Sequence, residues 1–171
     1  MTELDLQPHL VGRRVELRPL HADDYDALYA AASDPLIWEL HPDERWREDV
    51  FRDFFAQHLA TGDALLILDR ADGAVIGTSR YHDYDRAGSE VEIGWTFLVR
   101  SHWGGTVNGE VKQLMIEHAF DSVERVVFFV ALENLRSRRA VEKLGATFAG
   151  TRRRTPDAPE RAVYELRRPT G

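Results

Sequence analysis

Three glycines fall in the stretch Ser101-His102-Trp103-Gly104-Gly105-Thr106-Val107-Asn108-Gly109, between a strand-like run ending near Val99 and a helix-like run starting at Asn108. Glycine lets backbone approach a ligand closely and tolerates positive φ. The first turn of a helix offers amide hydrogens with no acceptor in the helix, at the positive end of its dipole. Together these make a cradle for a phosphate or pyrophosphate. The plainer reading is a glycine-rich turn without a ligand. No Gly-Lys-Ser/Thr follows, so the loop is not a P-loop. It also lacks the early position and the later acidic residue of the dinucleotide-binding fingerprint.

A second constellation runs from Asn134 through Leu135-Arg136-Ser137-Arg138-Arg139 to Glu142-Lys143-Leu144-Gly145-Ala146. Asn134 can cap a helix and Gly145 can end it, which is the simplest role for both. Cysteine is absent from the chain. That removes disulfides, thiolate metal sites and a cysteine nucleophile, and no other metal-ligand pattern suggests a metal.

The elements that must position these residues are legible from periodicity. Strands are predicted over 14–19, 64–68, 74–81, 90–99, 125–132, 147–154 and 161–168, by alternation or by short apolar runs. Helices are predicted over 21–33, 46–60, 108–120 and 136–144, from apolar residues at helical spacing. Residues 83–89 read as a polar loop. The order is β-α-α-β-β-β-α-β-α-β-β. Hairpins bring antiparallel pairs and the strand–helix–strand crossover brings a parallel one. The expectation is an α/β (α+β) fold in a single domain with its core over about 12–168.

The 171 residues carry a net charge of −7. Net acidity argues against a general nucleic-acid binder, which needs a basic face. The balance is uneven: residues 1–99 sum to −11 and residues 100–171 to +4. The basic half holds the proposed anion cradle, and the acidic half would draw in a cation. The first ten residues lack the cationic start and apolar run of a signal peptide, and no stretch has the length of a membrane helix. The expectation is a cytoplasmic protein with no membrane association, and a homodimer is left open.

The two constellations, in this order, resemble the GNAT superfamily of acyl-CoA-dependent N-acyltransferases. Its pyrophosphate loop is written Gln/Arg-x-x-Gly-x-Gly/Ala. Its later motif is Asn-x-x-Ser/Ala followed by Glu-Lys-Leu-Gly-Phe. Leu17-Arg18-Pro19-Leu20 and Glu92-Ile93-Gly94-Trp95 are most similar to the branch containing ribosomal-protein N-terminal (alanine/serine) acetyltransferases. Ser101, Thr106 and Ala146 depart from the usual pattern. Val141 stands where many members carry a tyrosine that protonates the leaving thiolate.

The resemblance implies a mixed, mostly antiparallel sheet with splayed central strands, here 95–99 and 125–132, flanked by about four helices. It implies acetyl-CoA as acyl donor and a primary amine (a protein N-terminus or a small molecule) as acceptor, joined directly in a ternary complex. Phe97, Leu98 and Val99 would pair with the pantetheine amides. The backbone from Trp103 through Gly104, Gly105, Thr106, Val107, Asn108 and Gly109 would hold the pyrophosphate. Asn134 and Ser137 would contact the pantetheine, and Arg138, Arg139 or Lys143 would meet the nucleotide phosphate; a solvated helix face is the simpler reading of those three. Glu92 is the expected general base, with Glu90 second and His102 and Tyr81 weaker. Trp38, His41 and Tyr81 would line the acceptor site. Arg152-Arg153-Arg154 reads as a mostly solvated strand edge. The competing reading, motivated by Val141, is a non-catalytic acyl-CoA-binding or regulatory module.

Overall fold

Val15 and Leu17 alternate with Glu16 and Arg18, and this period-two pattern forms a strand whose apolar residues are buried. The computed structural model describes residues 2–171. Among the described residues the strands and α-helices run β1 (Leu10–Val11), β2 (Val15–Pro19), α1 (Tyr25–Ala32), α2 (Glu48–Thr61), β3 (Ala64–Asp69), β4 (Val75–Asp85), β5 (Glu90–Leu98), α3 (Val107–Phe120), β6 (Arg125–Ala131), α4 (Leu135–Lys143), β7 (Thr147–Arg152) and β8 (Arg161–Arg167). The strands form one sheet in the order β1-β2-β3-β4-β5-β6-β8-β7. β5 and β6 pair in parallel, whereas β1–β2, β2–β3, β3–β4, β6–β8 and β7–β8 are antiparallel. This is the mixed, mostly antiparallel sheet that the motifs imply. The parallel register runs from Glu90↔Arg125 to Glu92↔Val127, while β5 continues to Leu98 and β6 to Ala131.

The chain divides into two compact units. One holds residues 5–81 and 95–114. Its core gathers Leu20, Leu28, Ala32, Phe51, Phe54 and Phe55 from α1, α2 and their approach around Leu66 and Phe97. α2 starts with Glu48 and Asp49 in its first turn and ends at Gly62, whose φ of 67° is left-handed. β3 reads Ala64-Leu65-Leu66-Ile67 without exposure, as a strand covered on both faces must. Gly77 on β4 is required by proximity, because a Cβ there would collide with the Phe97 carbonyl oxygen.

The other unit holds residues 2–4, 82–94 and 115–171. β6 pairs with β8 over seven residues, from Arg125↔Arg167 to Ala131↔Arg161. Gly150, at φ 97°, accompanies a bulge between Phe148 and Thr151. α4 begins at Asn134, whose side chain accepts from the Ser137 amide at 3.1 Å, and is followed by Gly145 at φ 91°.

Two local expectations change. The predicted loop over 83–89 is shorter, because β4 runs on to Asp85. Its polar alternation is a strand in which the Tyr84 hydroxyl accepts from the Leu4 amide at 3.3 Å, and Asp85 accepts from the Gly88 amide to close the turn. β1 goes unpredicted because two residues are too few to show a period.

The Leu17-Arg18-Pro19-Leu20 motif acquires a structural role. The Arg18 guanidinium donates to both oxygens of Asp24, at 2.7 and 2.9 Å, and the His21 amide donates to the same carboxylate at 2.8 Å. Burial pushes the Asp24 carboxyl up, but these bonds outweigh it and hold the group below its ordinary value. A depressed folded-state value means stability present above the ordinary Asp range and lost as pH falls through it. Asp24→Asn is therefore expected to destabilise the fold by about 1–2 kcal/mol near neutral pH. Melting curves from pH 7 down to about pH 2 should show that deficit vanishing below roughly pH 4.

Candidate active site

In the first unit, the chain leaves β5 at Leu98, makes a 3₁₀ turn over Arg100–His102 and enters α3 at Val107. Side chains brace this loop. The Trp103 indole donates to the Leu98 carbonyl at 2.8 Å, and Arg100 bonds the Asp34 carboxylate. The His102 Nε2 lies 2.7 Å from Asp69, whose carboxyl is held below its usual range by that bond and by the Ala71 amide. Glu110, in the first turn of α3, accepts from the backbone amides of Arg13, Arg14 and Val15 at 2.8–3.1 Å. Arg14 also donates to the Thr106 hydroxyl at 3.1 Å. Arg13, Arg14 and Arg70 line a recess beside Asp69.

Within this brace the glycines leave backbone bare. A Cβ at Gly104, Gly105 or Gly109 would meet no atom within 4 Å. Only Gly104, at φ 72°, needs glycine for its conformation. At Gly105 and Gly109 neither torsion nor packing within the chain demands it, and a glycine inside a helix costs about 1 kcal/mol relative to alanine. What these positions share is exposed backbone at the amino end of α3, where free amides and the helix dipole favour an anion.

A buried polar chain lies in the same unit. Lys112 on α3 is 6 % exposed, and its Nζ bonds the Thr96 hydroxyl on β5. Thr96 in turn lies 2.8 Å from the Ser79 hydroxyl on β4. Burial pushes the Lys112 ammonium down to about 7. Beside this chain, Trp95 breaks the pleat of β5 with φ 51°, and the Arg80 guanidinium stacks 4.6 Å above its ring. Arg80 pairs with buried Asp63 at 2.8 Å.

The expected acceptor residues are placed differently. Tyr81 has no exposure, and burial pushes its phenol up. Trp38 is a core residue whose indole donates to the Ala32 carbonyl at 2.8 Å and whose ring packs on Phe97. Neither offers a surface to a substrate. His41 stays half-buried with its ring edge-on to Trp38, and its Nδ1 accepts from the Asp43 amide.

In the second unit, Glu92 is buried and both its oxygens are bonded to Arg154, at 2.5 and 2.8 Å. Arg154 also lies over the Phe129 ring. A carboxylate held in this way has both oxygens already engaged and little contact with solvent. Glu90 forms an ion pair with Arg125 at 2.5 Å, with Arg152 at 4.0 Å. The arginine triplet is thus not simply solvated: β7 ends at Arg152, and the chain beyond it brings Arg154 to Glu92. His82, Asp83 and Glu92 bring ligand-type atoms within 4.8 Å of one another, but Glu92 is already neutralised by a cation. Val141 is buried, and the same helix carries Arg138, which donates to the Tyr164 hydroxyl at 3.0 Å. Tyr164 donates onward to Glu142 at 2.9 Å. Arg139 and Lys143 are exposed, and Ser137 is half-buried behind Asn134.

Sequence reasoning missed Lys112, Arg154 and Glu110. Lys112 carried a signal, since it sits four residues before Ile116 on the flank of the stripe Val107, Val111, Met115, Ala119. Arg154 carried none, because its partner is 62 residues away.

Comparison with known proteins agrees with this architecture. Residues 14–147 match the family model described as an acetyltransferase (GNAT) domain. A GCN5-related N-acetyltransferase from Brucella melitensis superposes with a TM-score of 0.83 at 24 % identity, over 94 % of this chain and 79 % of that one. A putative acetyltransferase from T. thermophilus gives 0.75 at 28 % identity, over 98 % and 92 %. A putative ribosomal-protein-serine acetyltransferase from Vibrio cholerae gives 0.77 at 15 % identity, over 94 % and 97 %. No curated protein sequence matches significantly. The chain belongs to the GNAT acetyltransferase family, and its class is that of an acyltransferase. No helix among the described residues is long and apolar enough to cross a membrane.

Proposed function

We propose that this protein moves the acetyl group of acetyl-CoA directly onto a primary amine. The observation that carries the reading is the braced loop with bare backbone at Gly105 and Gly109, at the amino end of α3. A pyrophosphate suits that position, because the free amides and the helix dipole favour an anion. Arg13, Arg14 and Arg70 add positive charge at the nearby recess. The pantetheine arm then follows the end of β5 at Phe97 and Leu98, whereas the Val99 amide is already donated to the Ile76 carbonyl at 2.8 Å. Direct transfer agrees with a chain that has no cysteine to form a thioester intermediate. Glu92 acts as a structural partner of Arg154. The acceptor is a free amine such as a protein N-terminus, in keeping with the ribosomal-protein-serine acetyltransferase among the similar folds.

The test is release of free CoA thiol from acetyl-CoA with a panel of amines: peptides with amino-terminal Ser or Ala, a polyamine and free amino acids. Turnover with at least one acceptor is expected. Acetyl-CoA should also raise the melting temperature, since a ligand that binds only the folded state stabilises it. A raised melting temperature without thiol release from any acceptor would identify a non-catalytic acyl-CoA-binding module instead.

A further inference from the structure

A lysine ammonium buried against hydroxyls alone is costly, since burial disfavours the charged form and no carboxylate repays it. Lys112 is in that position: among the described residues no carboxylate pairs with its Nζ, which bonds the Thr96 hydroxyl. A methionine would fill the same space without the penalty. Thr96 is half-buried, so the Lys112–Thr96 pair runs from the interior towards the surface. Thr96 follows the break at Trp95 and precedes Phe97, where the proposed pantetheine strand begins. Its hydroxyl shares a 2.8 Å bond with Ser79 in which either oxygen can donate, so the chain of hydrogens can run in both directions.

We propose that Lys112 is the proton acceptor of the transfer and acts through Thr96, the group that meets the substrate ammonium. This rests on the acetyl-transfer reading above. Thr96 Oγ1 takes one proton from the ammonium as its own proton passes to the neutral Lys112 Nζ. The freed amine attacks the thioester carbonyl carbon, forming the C–N bond. The C–S bond breaks, and its electron pair leaves on sulfur. A second proton from the attacking nitrogen goes to that thiolate, giving the amide and free CoA. Lys112 then returns its proton to solvent along the hydroxyls. The net change is one ammonium and one thioester consumed, one amide, one thiol and one proton produced.

Other ionisable groups on these elements are engaged. On α3, Glu110 is held by backbone amides. On β4, Arg80 is matched by Asp63, and Tyr81 stays protonated. On β5, Glu92 is matched by Arg154. Burial is the cause that sets the Lys112 ammonium near 7, so a working fraction is neutral at physiological pH.

The test is the pH dependence of kcat from about pH 5.5 to 9.5 for the wild type, Lys112→Met, Thr96→Val and Thr96→Ser. The wild type should lose activity below an apparent value near 7. Lys112→Met and Thr96→Val should lower kcat about a hundredfold and flatten that limb, with acetyl-CoA affinity unchanged. Thr96→Ser, which keeps the hydroxyl, should restore the acid limb and recover most of the rate lost in Thr96→Val. Lys112→Met turning over within about threefold of wild type, with the same acid limb, would overturn the proposal. So would a ¹³Cε resonance of Lys112 that titrates above about pH 9 in the wild type, a readout that needs neither a variant nor turnover. Absence of turnover in the wild type with every acceptor would remove the acetyl-transfer reading itself, whereas turnover with an unaltered pH profile in the variants removes only the role of Lys112.

Discussion

Arg154→Leu is expected to destabilise the protein by about 3–5 kcal/mol, measured by urea unfolding near pH 7. The substitution leaves the Glu92 carboxylate, whose side chain is 2 % exposed, without the guanidinium that bonds both its oxygens. Truncating one partner of a buried pair costs far more than the pair itself contributes, because the survivor cannot recover its hydration. The double variant Glu92→Leu/Arg154→Leu should therefore recover most of the loss. If the double variant is no more stable than the single one, the pair is worth more than its desolvation cost. The same experiment addresses chemistry. Removing a general base costs at least about a hundredfold in rate. Glu92→Gln, assayed where it is fully folded, should fall short of that loss.

Gly105→Val is expected to weaken acetyl-CoA binding roughly 10- to 100-fold while leaving the melting temperature of the free protein nearly unchanged. A Cβ at this position meets no atom beyond its chain neighbours within 4 Å, and Gly105 is exposed, so the apo fold offers the side chain little resistance. It stands instead where the phosphates would reach the backbone. Losing one charge-assisted hydrogen bond costs about 1.5–3 kcal/mol, and each 1.4 kcal/mol is about tenfold in affinity. Gly104→Ala is the informative contrast. Gly104 sits at φ 72°, so a Cβ there strains the backbone by about 1–2 kcal/mol before any ligand arrives. Calorimetric titration with acetyl-CoA, paired with melting of the free variants, separates the two effects. Equal affinity for wild type and Gly105→Val would remove the loop from the donor site.

Local patterns carried the fold well, and pairwise chemistry poorly. Alternation along Val15–Pro19 and helical spacing along Phe51, Phe54 and Phe55 are properties of neighbours in sequence, so they survive without knowledge of the fold. The glycine loop and the Asn134 cap are equally local, and both appear in the structure as the geometry their residue types favour. Roles set by long-range partners behave otherwise. Glu92 reads as a general base on a strand until Arg154 closes on it. Trp38 and Tyr81 read as aromatic lining until the sheet and helices cover them. Lys112 draws no reading from the sequence, and only its burial in the fold makes its proton affinity unusual.

Glu110 has a wider consequence. A carboxylate in the opening turn of α3 should repel a polyanion seated just ahead of it, yet its charge is spread over three amide dipoles of residues 13–15. The repulsion is thereby turned into a tether, which draws Arg13 and Arg14 to the rim of the same seat. The turn ahead of β2 and the first turn of α3, 95 to 97 residues apart in sequence, are thus fastened to each other by one carboxylate.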